Sequence, residues 1–142
     1  MSTQDNKALA RRFFEEFWDQ KNLAVADELM AANHVDHTPG SPPGLPPGPA
    51  GFKQFASVYF TAFPNLRITI DDQVAEGDTV VTRWTSHGTN TGSLFGMPAT
   101  NKSSTVTGIT ISRIVGGKAV ETWTNFDNLG MLQQLGVVPM PG

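Results

Sequence analysis

The 142-residue sequence contains no cysteine, which excludes disulfides, thiolate metal sites and a cysteine nucleophile. Charged residues are few, at 16% of the chain, and the net charge is only −3. The ten Lys and Arg residues are scattered rather than clustered, so we expect neither nucleic acid nor a membrane as a partner. No apolar run is long enough for a membrane span or a signal peptide. We therefore expect a cytoplasmic protein.

Several catalytic motifs are also missing. The sequence has no G-x-S-x-G nucleophile elbow and no glycine pattern of a P-loop or a dinucleotide-binding fold. All five lysines lie in polar or charged contexts, where nothing would lower the pKa of an amine for Schiff-base chemistry. No H-E-x-x-H pattern is present, so a metal site is not favoured.

Aromatic residues, in contrast, are well represented. Nine Phe, three Trp and one Tyr supply a hydrophobic core or an aromatic-lined cavity, and a chain of this length is expected to form one domain over residues 1–142. Apolar residues on one helical face predict a first helix from Ser2 or Thr3 to about Asn22, a second around 25–30, and a third over 51–63. The second helix is expected to end at "NHVDHTPG".

After Pro64 the pattern changes to the alternation of half-buried strands. It predicts strands over 66–72, 79–89, 104–115 and 118–126, followed by a short helix over 128–135 that ends at Gly136. Helices first and antiparallel strands afterwards predict an α+β fold, with the helices on one side of a strongly curved sheet. Such a sheet readily encloses a ligand cavity.

The stretch between the second and third helices is rich in proline and glycine, which make up ten of the thirteen residues in 39–51. This composition excludes a helix or a central strand and predicts a semi-rigid extended connector. Two interpretations are open: a plain surface loop, or a rim or lid at the mouth of a cavity.

Asp127 lies at the junction of the last strand and the last helix, beside Trp123 and Phe126. Burying a carboxylate among apolar groups costs several kcal/mol, of order 2–7 or more, unless it is paired or neutralised. The residue is either the N-cap of the helix or a general base whose pKa is raised by burial.

Histidines supply further candidates. "HVDHTP" places His34, Asp36 and His37 close together. Either Asp36 and His37 satisfy backbone groups before the proline-rich stretch, or a histidine lies at the cavity mouth, where it can transfer a proton. His87 alternates on the same side as Arg83, which favours an exposed position over a ligand role. By alternation, Glu121 shares a face with Trp123, and we expect it to be solvated.

Seven motifs in order resemble the SnoaL-like polyketide cyclases of the NTF2-like superfamily: "VDH", "FPNLRITIDD", "AEGDTVVTRW", "GTNTGSLFGMPAT", "GITISRI", "GGKAVETW" and "FDNLGMLQQLG". The resemblance implies an NTF2-like cone around a deep apolar pocket, assembled as a homodimer or homotetramer. It implies an intramolecular aldol condensation or a related isomerisation of an apolar carbonyl or aromatic compound, with an aspartate as acid/base and no cofactor or metal. Asp127 resembles that aspartate, and His37 is the candidate partner for the carbonyl oxygen.

On this basis we predict an enzyme of the cyclase or isomerase type, with ester cyclisation and hydrolysis as close variants. Its substrate would contact Phe17, Trp84, His87, Trp123 and Phe126. The alternative is a non-catalytic module that binds a small molecule or mediates oligomerisation. Three departures from the family pattern bear on the mechanism, because the family commonly has His, Asp and His at the positions of Thr122, Thr124 and Asn90.

Overall fold

Helix α1 (Thr3–Arg12) begins at a capping box in the computed structural model, which describes residues 2–140. The Ser2 hydroxyl accepts a hydrogen bond from Asp5 N at 3.1 Å, and the Asp5 carboxylate accepts one from Ser2 N at 3.1 Å. Of the two residues, Ser2 or Thr3, at which the helix is predicted to start, Ser2 is the N-cap and Thr3 the first helical residue. The helix continues as a π-helical segment, Phe13–Asp19, which the apolar spacing does not reveal because each π-helical hydrogen bond spans one extra residue.

The second helical region is shorter than predicted. Helix α2 (Val25–Leu29) gives way at Met30 to an extended backbone, with φ −114° and ψ 136°, and strand β1 occupies Met30–Asp36. The prediction missed this strand because its pairing shifts register between Met30 and Val35. A register shift breaks the alternation of faces by which a strand is recognised in a sequence.

Helix α3 (Gly48–Ala62) begins three residues before the predicted start. The expectation that the whole of residues 39–51 is non-helical is wrong at its end. Proline is tolerated in the first helical turn, where its missing N–H would have no partner within the helix, and a proline lies in the first turn of α3.

The remaining strands form one sheet with β1. They are β2 (Arg67–Glu76), β3 (Thr79–Thr89), β4 (Ser103–Val115) and β5 (Lys118–Phe126), in the order β1-β5-β4-β3-β2. Strand β1 pairs parallel to β5, and the other neighbours are antiparallel. The α+β prediction is confirmed: helices pack on a curved, mostly antiparallel sheet.

Alternation along the strands gives the sheet two different faces. The inner face, packed against the helices, is buried and includes Val80, Thr82 and Trp84 of β3 and the even-numbered residues 104–114 of β4. The outer face carries the intervening residues. Gly108 marks a close approach on the inner face, since a Cβ there would lie 2.3 Å from the Trp84 ring.

Helix α4 (Asn128–Gln134) closes the fold, and Gly136 follows it with φ +77°, the left-handed conformation that commonly ends helices. Two clusters of buried side chains form the core: one joins α1, α2 and the π-helical segment to β3 and β4, and the other joins α3 and α4 to β4. Within residues 2–140, no helix is long and apolar enough to cross a bilayer.

Candidate functional site

A cavity of about 120 Å³ lies between the helices and the inner face of the sheet. We call it the inner cavity. Its wall is mostly apolar and takes side chains from both core clusters. The polar exceptions are a carboxylate, a phenol and several hydroxyls: Asp36, Thr38, Tyr59, Ser86, Ser104, Thr110, Ser112, Thr122 and Thr124.

A second hollow of about 390 Å³ lies next to the inner cavity and shares part of its wall. We call it the outer hollow. The shared residues are Phe55, Tyr59, Thr124, Phe126 and Met131. Pro39 and Gly40 line the outer hollow from the proline-rich stretch. The rim interpretation of this stretch therefore fits its position better than a plain surface loop.

Asp36 is the single carboxylate among the described residues that line the inner cavity. Its Oδ1 accepts hydrogen bonds from Thr38 N at 3.1 Å, from the Thr38 hydroxyl at 2.5 Å and from the Thr122 hydroxyl at 3.3 Å. All three bonds go to the same oxygen. They fix the carboxyl group in place, and Oδ2 accepts no hydrogen bond from the residues that the structure describes.

His34 contacts Thr122, which is one of the hydrogen-bond donors to Asp36. It is buried, with 2% of its surface exposed, and its Nε2 lies 3.1 Å from the Thr122 hydroxyl. Burial lowers the pKa of His34, and this outweighs the opposing effect of the Asp36 charge. His34 is therefore neutral near pH 7, and a chain His34–Thr122–Asp36 can form in which Nε2–H and the hydroxyl each donate toward the carboxylate.

A second polar group lines the inner cavity on β3, β4 and β5. Trp84 Nε1 donates to the Thr110 hydroxyl at 3.0 Å, and the Thr110 and Thr124 hydroxyls lie 2.8 Å apart. The bond between the two hydroxyls uses one of their two hydrogens. Because the indole can only donate, the other hydroxyl hydrogen is left for a ligand oxygen.

Tyr59 lines both hollows from α3. Burial raises the pKa of its phenol to about 12. The hydroxyl therefore stays protonated at neutral pH and can donate a hydrogen bond to a ligand carbonyl.

Asp127 is exposed and lies outside the set of residues lining either hollow. It is the N-cap of α4, where its Oδ1 accepts a hydrogen bond from Gly130 N at 2.9 Å. The expectation of a partly buried carboxylate inside the cavity is wrong, because alternation turns Phe126 inward and the next residue outward. A catalytic role for Asp127 stays a prediction, without support from this geometry.

His37 also lies away from the inner cavity. Its Nε2 is 2.8 Å from Glu121 Oε2, and its ring stacks on Trp123 with centroids 5.0 Å apart. These three side chains belong to the outer face of the sheet. Arg113 binds the same carboxylate at 2.6 Å, and together with His37 it lowers the pKa of Glu121.

Of the five residues predicted to contact the substrate, two line the inner cavity and three do not. Trp84 and Phe126 line the inner cavity. Phe17 is fully buried in the core, and Trp123 is on the outer face. His87 is exposed and lies 3.0 Å from the Thr105 hydroxyl through Nδ1, as its alternation with Arg83 indicated. The last three residues do not reach the cavity wall.

Sequence reasoning passed over Asp36 in favour of its neighbour. Asp36 is aligned with Thr122 in the parallel β1–β5 pair, so it lies on the inner face and His37 on the outer face. Successive residues of a strand face opposite sides of the sheet. Read as a strand, "NHVDH" therefore predicts that Asp36 and His37 lie on opposite faces. Among residues 2–140, no group of three or more His, Asp or Glu side chains could hold a metal ion.

The sequence model of the SnoaL-like polyketide cyclase family matches residues 8–135. The chain belongs to this family, as the motif resemblance predicted. A comparison with proteins of curated function finds no match by sequence.

Solved structures of the same fold agree with this membership. IdmH from Streptomyces antibioticus, assigned as a polyketide cyclase, is 33% identical with a TM-score of 0.80, covering 93% of this chain and 99% of its own. A protein from Acidithiobacillus ferrooxidans with the same assignment is 30% identical with a TM-score of 0.84, covering 96% and 98%. AclR from Streptomyces galilaeus, assigned as a hydroxylase, is 23% identical with a TM-score of 0.85, covering 99% and 87%, and it shows the fold alone.

Proposed function

We propose that this protein is a cofactor-independent cyclase or isomerase in which Asp36 acts as general acid/base on an apolar carbonyl compound. The observation that carries the proposal is the position of Asp36 on the wall of the inner cavity, with three hydrogen bonds to Oδ1. Family membership supports the reaction class. The largely apolar wall supports the substrate class.

The proposed reaction needs no oxidant and no metal. Asp36 removes a proton from a carbon between two carbonyl groups, and the C–H electron pair becomes an enolate. The enolate carbon attacks a third carbonyl of the same molecule, so that a C–C bond forms, the π bond of that carbonyl breaks, and the carbonyl oxygen gains the charge. Protonated Asp36 then returns the proton to that oxygen.

The donors for the charged oxygen are the free hydroxyl hydrogen of the Thr110–Thr124 pair and the Tyr59 phenol. Each lines the inner cavity, and neither carries a charge that would need burial. Donors arranged before the reaction stabilise charge where it develops, and holding a flexible chain in a reactive geometry supplies further acceleration.

A non-catalytic binding module is the second candidate, and one observation favours it. Thr122 and Thr124 line the inner cavity, and the family resemblance implies His and Asp at these positions. If that His and Asp are the acid/base groups of the family, this chain has a threonine in place of each. Asp36 is then the one carboxylate among the described residues of the cavity wall that can transfer a proton.

Deuterium uptake from D2O at the carbon between the carbonyls of ethyl benzoylacetate, followed by NMR, tests the proposal. We expect Asp36→Asn to lower the enzyme-catalysed rate by about 10²- to 10⁴-fold, the usual contribution of a general base. His37→Gln and Asp127→Asn should retain the rate, because both side chains lie outside the cavity wall.

Two results would contradict this assignment. Loss of exchange in Asp127→Asn but not in Asp36→Asn would return the catalytic role to Asp127. Tight binding of the ester with no exchange above the buffer rate would favour the binding module.

The homodimer or homotetramer that the resemblance implies stays a proposal. Its support is the outer face of the sheet, where Val35, Ile109, Ile111 and Trp123 are between 36% and 47% exposed. Ile111 is aligned with Trp123 across β4 and β5, and exposed apolar side chains that lie together are typical of contact surfaces between proteins.

A further inference from the structure

The loop between β3 and β4 carries an exposed aromatic residue at its tip. Leu94 and Met97 pair through two backbone hydrogen bonds, of 3.0 and 2.9 Å, around the two central residues Phe95 and Gly96. Phe95 lines the outer hollow, and 49% of its surface is exposed. Its ring meets Tyr59 edge to face, with centroids 5.8 Å apart.

The backbone of Phe95 is unfavourable for its side chain. Its φ is +47°, and that of Gly96 is +80°. A two-residue turn with both φ values positive is one that Asn-Gly forms easily. A bulky residue at the first position is strained, and strained residues of this kind persist where the surrounding structure or a function requires them.

Hydrogen bonds fix the base of the loop that carries Phe95. The base of the loop is held by Asn90, which is 1% exposed. Its side chain accepts from Thr100 N and Oγ1 at 2.9 Å each and donates to the carbonyls of Gly92 at 2.8 Å and Ala62 at 3.3 Å. Leu94, beside the tip, is buried. The loop therefore holds an exposed ring at a defined place beside the outer hollow.

The size of the inner cavity indicates why a ring is useful there. Small-molecule sites usually enclose about 300–1,000 Å³, whereas the inner cavity measures about 120 Å³. The inner cavity has room for about one ring. A larger ligand whose carbonyl lies near Asp36 therefore extends past Tyr59 into the outer hollow of about 390 Å³.

We propose that Phe95 is a specificity-determining residue that packs against the outer part of the ligand and selects multi-ring over single-ring carbonyl compounds. The inference rests on the proposed function, because it requires the carbonyl end to enter the inner cavity. Tyr59 would stand between the two parts of the ligand, with its ring against Phe95 and its hydroxyl available to a carbonyl.

Binding of two matched ketones tests the proposal: acetophenone with one ring and 2-acetylanthracene with three, each measured by calorimetry. The informative variant is Phe95→Asn, because Asn favours the turn and removes the ring. We expect its Tm to stay equal or rise, its affinity for 2-acetylanthracene to fall at least 5-fold, and its affinity for acetophenone to change less than 2-fold. Phe95→Tyr should bind like the wild type.

Leu129→Asn is the matched control, since Leu129 is also an exposed apolar residue, at 58%, but lines neither hollow. Unchanged affinity of Phe95→Asn for 2-acetylanthracene would overturn the inference and leave the proposed function standing. A lower Tm with equal loss for both ketones would make Phe95 a structural residue and also overturn it. Failure of the wild type to bind either ketone would contradict the proposed function itself, and the inference with it.

Discussion

Strand β5 presents two chemically different faces to its surroundings. Its inner face carries Thr122, Thr124 and Phe126, all on the wall of the inner cavity. Its outer face carries Glu121, bound to Arg113 and His37, and Trp123, stacked on that histidine. On this strand the charged residue and the tryptophan thus lie on the outside, whereas two hydroxyls and the Phe126 ring line the cavity. The face of the sheet on which a residue lies, more than its chemical type, decides whether its side chain reaches the cavity.

The largest expected contrast in stability is between the buried core that the helices form against the inner face and the exposed outer face of the sheet. Phe17 has no exposed surface and lies within 4.9–6.1 Å of the rings of Phe13, Trp18, Phe52 and Phe60, measured between centroids. Truncation of a fully buried Phe leaves a hole in the core, so we expect Phe17→Ala to lower the free energy of unfolding by about 3–5 kcal/mol.

Trp123→Ala is the outer-face counterpart, because it removes a larger ring from a side chain that is 36% exposed. It should cost about 1 kcal/mol, the value of an aromatic pair. Urea denaturation monitored by circular dichroism measures both. Equal losses of unfolding free energy in the two variants would mean that Trp123 is as buried in solution as Phe17, and would contradict the expected difference between core and outer face.

The same contrast explains what the sequence could predict. Strands β2 to β5 were found because their alternation is regular, and helices α1 and α3 because their apolar residues recur on one face. Strand β1 was missed because its register shift breaks the alternation between Met30 and Val35. Without β1, the sequence does not assign Asp36 to the inner face, and His37 is the more conspicuous candidate.

The proline-rich stretch and Asp127 show a second limit. Composition predicted the extended connector, but the start of α3 inside it depends on how the first turn packs against β1. Gly48 allows this contact, since a Cβ there would lie 2.2 Å from Ala32 O. For Asp127, the cap and the catalytic interpretation have the same sequence pattern, and only the position of the cavity separates them.

An intermediate effect is expected in the pH dependence of stability. The pKa of His34 is lowered by burial from its ordinary value of 6.5. Below about pH 6.5 the unfolded chain therefore binds a proton that the folded chain does not bind. The free energy of unfolding should fall as the pH drops through 6.5, by at most about 1.4 kcal/mol per pH unit, until the folded-state pKa is reached.

Replacement of this histidine isolates its contribution. His34→Gln should flatten the slope between pH 7 and pH 5. Urea denaturation at half-unit intervals of pH provides the measurement. A slope that persists unchanged in His34→Gln would contradict the assignment of this pH dependence to the buried histidine.

The smallest effect on the folded monomer is expected at the centre of the outer face. Ile111 is 37% exposed and lies beside Trp123 in the β4–β5 pair. Ile111→Ser should change the stability of the monomer by about 0.5 kcal/mol or less, as is usual at exposed sites.

If two copies associate through this face, the variant should nevertheless shift the protein toward the monomer, because an apolar contact is replaced by a hydroxyl that water solvates well. Light scattering coupled to gel filtration, across a dilution series, measures that shift. Leu129→Ser, which removes a more exposed apolar side chain from α4, at 58% against 37% for Ile111, should leave the assembly unchanged. A wild type that is monomeric throughout the series would refute assembly through the outer face, and the face would then be an ordinary solvated surface with an apolar patch.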